Sequence, residues 1–414
     1  MHPDRVALRT PRATLTYAEL LARASAAAGG LRERGVGAGD RVALALDSPD
    51  QLVVAVQGCF LLGAVAVPID RRLGAGERAQ RAAGARVVVQ EPPSGPAIVP
   101  EPLRLEAIAT VIHTSGTTAA PRPVALSYGN WLWSAFGSAV ALGLDPAERW
   151  LCPLPLAHVG GLSIPIRSTV YGTTAIVHER FEVEAVAREL LDPQAAVTLV
   201  SLVPTMLARL LDAGLREPPA LRWALLGGGP IPGGLLERAR AAGVPVLPTY
   251  GMTEGCSQIA TGGWPLVGVE LQIAPEGEVL VRGPTVAAGS LAADGWLHTG
   301  DLGALDRAGR LTITSRKADT IITGGENVAP AEVEAVLLAH PGVADAAVFG
   351  RPDPDWGEAL VASVVLRDQA GVDGEQLRAH CAQRLAGFKV PKAIEFVQRL
   401  PRSETGKLLR RELR

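Results

Sequence analysis

The chain has 414 residues, 48% of them hydrophobic and 20% charged, with a formal net charge of −2. That length predicts about two or three domains with ample core, and the composition excludes global disorder. The balance of 40 Lys and Arg against 42 Asp and Glu offers no basic stripe for nucleic acid or a membrane surface.

The first 110 residues alternate between helix and strand. Thr16 and Glu19 form a capping box, opening an Ala/Leu-rich helix to about Arg34. A strand over 42–46, a helix over 49–62 and a strand over 65–69 follow. Such alternation implies βαβ units and a mostly parallel sheet. Residues 91–96 read as a loop by composition. Strands at 111–113, 197–202, 223–226 and 244–247 each end in a Gly-, Thr- or Pro-bearing turn. Ligands of open α/β sheets gather at the carboxyl ends of strands, so these turns point to one shared site. From about Gly277 the pattern changes to short strands, 278–282 and 309–314, and a boundary is expected near 315–319. Beyond it, Pro330 starts a helix, strands cover 346–349 and 360–366, and a helix covers 375–385. That last part is a compact α+β unit.

Cys59, Cys152, Cys256 and Cys381 stand singly without metal-ligand spacing, so they read as thiols in a reducing cytosol. The N-terminus has no apolar signal core, and no run of about 18 apolar residues occurs. A cytoplasmic protein without membrane insertion is expected.

Several clusters carry chemistry. Thr114-Ser115-Gly116-Thr117-Thr118 follows a strand and can donate hydroxyls and backbone N–H groups to phosphate, although such a cluster alone is most often a turn. Tyr250-Gly251-Met252-Thr253-Glu254 offers an aromatic face, a hydroxyl and a carboxylate suited to Mg²⁺ on one turn. The bland alternative is a strand end with a surface acid. Asp301 follows a Thr-Gly turn and can accept from ribose hydroxyls, or close an Asx turn. His158 lies in an apolar, Gly-rich stretch, where a structural hydrogen-bonder is commoner than a base. Arg167 sits in an apolar run and needs an anionic partner, from the protein or from a substrate. Gly324 and Gly325 form a turn or a gate. Lys407, near the end of the chain, presents a compact cation suited to phosphate or carboxylate.

In this order the motifs resemble the adenylate-forming superfamily of acyl-CoA synthetases, luciferases and nonribosomal-peptide adenylation domains. The likeness rests on Thr114–Thr118, Tyr250–Glu254, Thr299-Gly300-Asp301, Ser315–Asp319, Gly324–Val328 and Pro401–Lys407, and it covers nearly the whole chain. A closer likeness, to the o-succinylbenzoate–CoA ligases of menaquinone biosynthesis, rests on Asp145–Leu162, Tyr171–Thr174, Leu226–Pro230 and Tyr250–Gln258.

The resemblance implies a large N-terminal domain (1–314) of mixed, mostly parallel sheets with helices and a β-rich subdomain. A hinge (315–319) centred on Ala318 and a small mobile α+β lid (320–414) complete it. It also implies ATP, Mg²⁺ and CoA as cofactor and co-substrates and a small-molecule carboxylate as substrate; a homodimer is one possible assembly that the sequence itself does not decide. Lys407 would bridge carboxylate and α-phosphate, and Thr114 to Thr118 would hold the outer phosphates, with Thr253 near the α-phosphate. Glu254 would hold the metal. Gly228, Gly229, Tyr250 and Gly251 would line the adenine pocket, and Asp301 and Arg316 would hold the ribose. His158, Arg167, Gly251 and Ser257 would face the acyl group, and Gly324 and Gly325 the CoA path. The pattern departs at Ala119, Arg122 and Pro123, where the family usually has Gly and then Lys-Gly, and at Ala318 in place of Asp or Lys. Pro123 is expected to stiffen the phosphate loop. Ligation of another aryl or keto acid to CoA, adenylation with transfer to a carrier protein, and a degenerate nucleotide or acyl-adenylate binder are the alternative readings.

Overall fold

The computed structural model describes residues 2–100, 102–114, 122–367, 371–402 and 408–413. Helix Tyr17–Glu33 starts on the expected capping box, with the Glu19 amide donating to Thr16 and the Thr16 amide donating to the Glu19 carboxylate at 2.8 Å. Helix Pro49–Leu62, with Pro at its first turn, packs along it.

Two large sheets flank these helices. One has five strands in the order Val87–Val89, Arg41–Leu44, Val65–Pro68, Ile108–Thr114 and Arg122–Ser127, all parallel except the last. The other has nine. Its six central strands are parallel: Val246–Met252, Trp223–Leu226, Leu199–Leu202, Arg149–Cys152, Thr174–Val177 and Val6–Arg9. Antiparallel Thr14–Thr16 closes one edge, and Ser257–Thr261 with Trp264–Pro265 closes the other. The parallel strands are near-continuous apolar runs because both faces are covered. Leu44, Val56, Ile112, Trp150 and Leu199 join the two sheets and their helices into one core.

A third, four-stranded antiparallel sheet runs Glu270–Ile273, Glu278–Arg282, Leu297–Leu305, Leu311–Arg316, and its apolar cluster includes Ile259 and Ala260 of the nine-stranded sheet. A fourth sheet begins at Ile321. In it Gly357–Leu366 pairs with Val343–Asp353, with Ile321–Thr323 and, in parallel, with Ala393–Phe396, and Ile321–Thr323 pairs with Glu326–Val328. Helices Pro330–Leu338 and Gly374–Ala382 accompany that sheet. Its core, from Ile321 to Cys381, contains no buried residue of the other three sheets. This is the expected α/β architecture with a distinct C-terminal α+β unit.

Three local expectations change. The strand expected over 244–247 runs Val246–Met252, because Ser257–Thr261 extends its ladder. Tyr250, Gly251 and Met252 therefore belong to a strand, and only Thr253 and Glu254 lie on the turn. Arg122 and Pro123 are not in the phosphate loop but in a strand opposite Thr114 and His113. That strand is a sheet edge, where a missing N–H is tolerated. His158 is the N-cap of helix Val159–Tyr171, which carries Arg167 and holds Pro165 in its interior.

Candidate active site

The carboxyl ends of the parallel strands open onto a cleft of about 2250 Å³. That exceeds the roughly 300–1,000 Å³ of an ordinary small-molecule pocket, so it can hold more than one ligand at once. Gly228, Gly229, Tyr250, Gly251, Asp301, Arg316 and Ala318 line it, and the C-terminal unit adds Glu334, Arg402 and Leu408–Arg410.

One cluster fixes a polar corner of the cleft. Asp301, on Leu297–Leu305, has a side chain only 6% exposed. Its Oδ2 accepts the Tyr250 hydroxyl at 2.8 Å and its Oδ1 accepts Arg316 Nε at 2.8 Å. Strand register places the last partner, since Asp301 pairs with Arg316 across the sheet. Burial, then the neighbouring Asp301 charge, push the Tyr250 hydroxyl well above its ordinary range, so it stays a donor. A carboxylate has about four lone-pair positions, so two remain to accept from a vicinal diol.

Gly251 is fixed by close approach. A Cβ there would lie 1.7 Å from the Ser257 carbonyl oxygen. Cys256 and Ser257 themselves hold φ of 54° and 85°, left-handed values that L-residues rarely adopt. Beneath this strained turn the Cys256 carbonyl accepts Ser134 Oγ at 2.6 Å, and Ser134 accepts Arg167 at 2.8 Å. Strain of this kind needs such over-determination to persist. Ser257 Oγ lies 3.4 Å from Ser163 Oγ.

Arg167 is fully buried, stacks 5.8 Å from the Trp150 ring and has no ion pair among the described residues. Its Nε has no hydrogen-bond partner there. Burial pulls its pKa below the usual guanidinium value. It is not among the residues that line the cleft.

His158 Nε2 stands 3.9 Å from Asp70, whose two carboxylate oxygens take Arg72 at 2.9 and 2.6 Å. Burial lowers the His158 pKa, and Asp70 opposes that shift. Sequence reasoning passed over Asp70 and Arg72. The available signal was the charged triplet Asp70-Arg71-Arg72 just past the apolar strand Val65–Pro68.

Glu254 makes no side-chain hydrogen bond or ion pair with a described residue, although its carbonyl accepts the Ala287 amide at 2.8 Å. No group of three or more His, Cys, Asp or Glu capable of holding a metal occurs among the described residues. A single free carboxylate fits Mg²⁺, which keeps most of its waters and takes one or two carboxylates plus substrate phosphates.

Thr114 ends its strand 3.4 Å from the Arg122 carbonyl. Ser115, Gly116, Thr117, Thr118 and Lys407 lie outside the described residues. The residues flanking the lysine segment are placed: Arg402 bridges to Leu408 and is held by both Asp345 oxygens at 2.9 and 2.7 Å. Gly324 and Gly325, at φ 57° and 82°, form the two-residue turn between Ile321–Thr323 and Glu326–Val328. Two positive φ values in a two-residue hairpin demand Gly, Asn or Asp. In this arrangement the turn is not part of the cleft lining. No helix among the described residues is long and apolar enough to cross a membrane.

The family model described as AMP-binding enzyme matches residues 1–94 and 86–291, and that of the AMP-binding enzyme C-terminal domain matches 332–407. A 2-succinylbenzoate–CoA ligase of Bacillus licheniformis is 41% identical over 99% of this chain and 97% of its own length. The o-succinylbenzoate CoA synthetase (MenE) of Bacillus subtilis, solved with the acyl-adenylate intermediate OSB-AMP, superposes with a TM-score of 0.92 at 38% identity, covering 100% of this chain and 96% of that one. The same enzyme with ATP and magnesium gives 0.91 at 38% identity, covering 100% and 97%. The chain belongs to the AMP-binding enzyme family.

Proposed function

We propose that this protein ligates o-succinylbenzoate to CoA at the expense of ATP, through an acyl adenylate. The observation that carries the reading is the corner built by Tyr250, Asp301 and Arg316, a ribose-holding arrangement inside a cleft with room for a second ligand. The full-length likeness to 2-succinylbenzoate–CoA ligases supplies the acid.

In the first step a substrate carboxylate oxygen attacks the α-phosphorus of ATP, and the bond to pyrophosphate breaks with its electron pair. Negative charge crowds at that phosphorus, and Lys407 is our candidate to stabilise it, with Thr253 beside it. Thr114 to Thr118 hold the outer phosphates in this scheme. Mg²⁺, held by Glu254 and phosphate oxygens, neutralises pyrophosphate charge. Gly228, Gly229 and Gly251 present backbone close to the base. In the second step CoA sulfur attacks the acyl carbonyl, and AMP leaves with the electrons of the C–O bond. His158, kept neutral by burial, can take the thiol proton. We assign residues 1–314 to a body and 320–414 to a lid turning about Ala318, which would bring Gly324 and Gly325 toward the CoA path. Arg167 is our candidate for the free succinyl carboxylate: its buried Nε is unsatisfied, and since it does not line the cleft in this arrangement, the acid reaches it only if the cover over it opens.

The test is mass-spectrometric detection of the CoA thioester from ATP, Mg²⁺, CoA and a panel of acids, with Lys407→Ala and Arg167→Ala alongside. Thioester from o-succinylbenzoate, lost in the lysine variant, is expected. Arg167→Ala should raise the KM for this acid and not for benzoate analogues lacking the succinyl carboxylate. Pyrophosphate without thioester would favour a carrier-protein acceptor, and no pyrophosphate with nucleotide bound would favour a degenerate binder.

A cytoplasmic homodimer completes the reading. Helix Tyr128–Leu142 carries no charged residue and exposes Trp133, Phe136 and Val140, a face suited to a second copy. Sedimentation should give twice the chain mass at assay concentration, and a monomer there would remove this part.

A further inference from the structure

Two sets of ion pairs flank Ala318 and tie its neighbours to different parts of the molecule. On one side Lys317 Nζ lies 3.1 Å from Glu278 and 3.5 Å from Glu276, which belong to the third sheet and its turn. On the other, Asp319 meets Arg410 at 3.5 Å. Arg410 also pairs with Glu334 of helix Pro330–Leu338 and donates Nε to the Val348 carbonyl at 3.2 Å. Glu334 in turn accepts the Val348 amide at 2.8 Å. The Arg410 and Glu334 side chains are 13% and 11% exposed.

An ion pair this covered adds little net stability, because desolvation offsets the attraction. Its effect is geometric: the planar guanidinium fork fixes directions that a lysine would leave free. Arg410 is held by three acceptors on three segments, the hinge, a helix and a strand. It stands three residues past Lys407, and three residues span at most about 10 Å. Fixing Arg410 therefore bounds where Lys407 can reach. Leu408, Leu409 and Arg410 line the cleft, and the Leu409 amide donates to the Pro401 carbonyl at 2.9 Å.

We propose that Arg410 is a positioning residue that ties the lysine-bearing C-terminal segment to the hinge at Asp319 and the helix at Glu334, setting the reach of Lys407 during adenylate formation. This rests on the reading of Lys407 given above. The rival is a brace that only keeps the C-terminal unit folded.

The two are separated by measuring the half-reactions apart in the full chain. One assay follows pyrophosphate release from ATP, Mg²⁺ and o-succinylbenzoate. The other follows thioester formation from premade acyl adenylate and CoA. The variant is Arg410→Met combined with Glu334→Gln, so that no buried carboxylate loses its partner, with Glu334→Gln alone as control. Pyrophosphate release should slow by about 10- to 100-fold, the scale of a misplacement near 1 Å, and thioester formation should be unchanged. Equal losses in both half-reactions, or no loss in either, overturn the inference. Lys407→Ala is run in the same assays. If it keeps pyrophosphate release, the reading of the lysine fails, and the positioning role fails with it. If it loses release while the Arg410 double variant keeps it, only the positioning role fails.

Discussion

Asp70 stands where its charge bears on His158, the proposed base. Burial works to raise its carboxyl, but the hydrogen bonds and charge of Arg72 outweigh burial and hold it below the usual carboxylate range. It is therefore anionic at working pH and stands 3.9 Å from the His158 imidazole. Burial lowers the His158 pKa, and the Asp70 charge pushes the other way. Asp70→Asn removes the one influence that raises it, so the neutral imidazole should survive to lower pH. The acid limb of the pH–rate profile for thioester formation should move down in the variant, with the rate at pH 8 little changed. A limb that stays in place, or moves up, would mean that His158 does not set it. Tyr250, Asp301 and Arg316 are simpler, since each is already oriented by another before any ligand arrives. Preorganisation of that kind lowers the cost of binding.

At the scale of elements, what could be read in the sequence depended on whether a signal was local. The capping box at Thr16 and Glu19, the helix Pro49–Leu62 and the strands Trp223–Leu226 and Glu278–Arg282 came out at or near their observed bounds. Each has its cause within a few residues: a cap, a proline, an apolar run between glycines. The errors lie where a distant partner decides. Val246–Met252 extends through Tyr250 and Gly251 only because Ser257–Thr261 pairs with it. Arg122 and Pro123 are strand residues because Ile108–Thr114 supplies a ladder, and their strand is the edge of the sheet. Helix Val159–Tyr171 accepts Pro165 in its interior because burial of Leu162, Ile164 and Ile166 outweighs the lost backbone bond. The site divides the same way. Tyr250, Asp301 and Arg316 each stand in a short motif, but only the Asp301–Arg316 bond follows from strand register; Tyr250 reaches Asp301 from a different sheet. Asp70 and Arg72 were missed because a charged triplet after a strand is usually solvated surface, and only the neighbouring His158 helix gives it a task.

The whole molecule carries the Tyr250–Asp301–Arg316 corner and its C-terminal unit on separate cores. The buried cluster from Ile321 to Cys381 is self-contained, while Gly228, Gly229, Tyr250, Asp301 and Arg316 all precede the short turn Lys317–Asp319. Self-contained cores of this size can be removed without stripping apolar cover from their neighbours. A chain ended after Asp319 should therefore stay folded and bind AMP within about tenfold of the full protein, a difference under roughly 1.4 kcal/mol. The same chain lacks Lys407 and should release pyrophosphate at or below about one hundredth of the normal rate, as expected when a transition-state cation is lost. Calorimetric titration with AMP and a pyrophosphate assay on one preparation measure both. Loss of AMP binding in a chain that still melts cooperatively would place part of the nucleotide site beyond residue 319. Normal pyrophosphate release would remove the lid from the first half-reaction, leaving the body alone to stabilise the charge at the α-phosphorus.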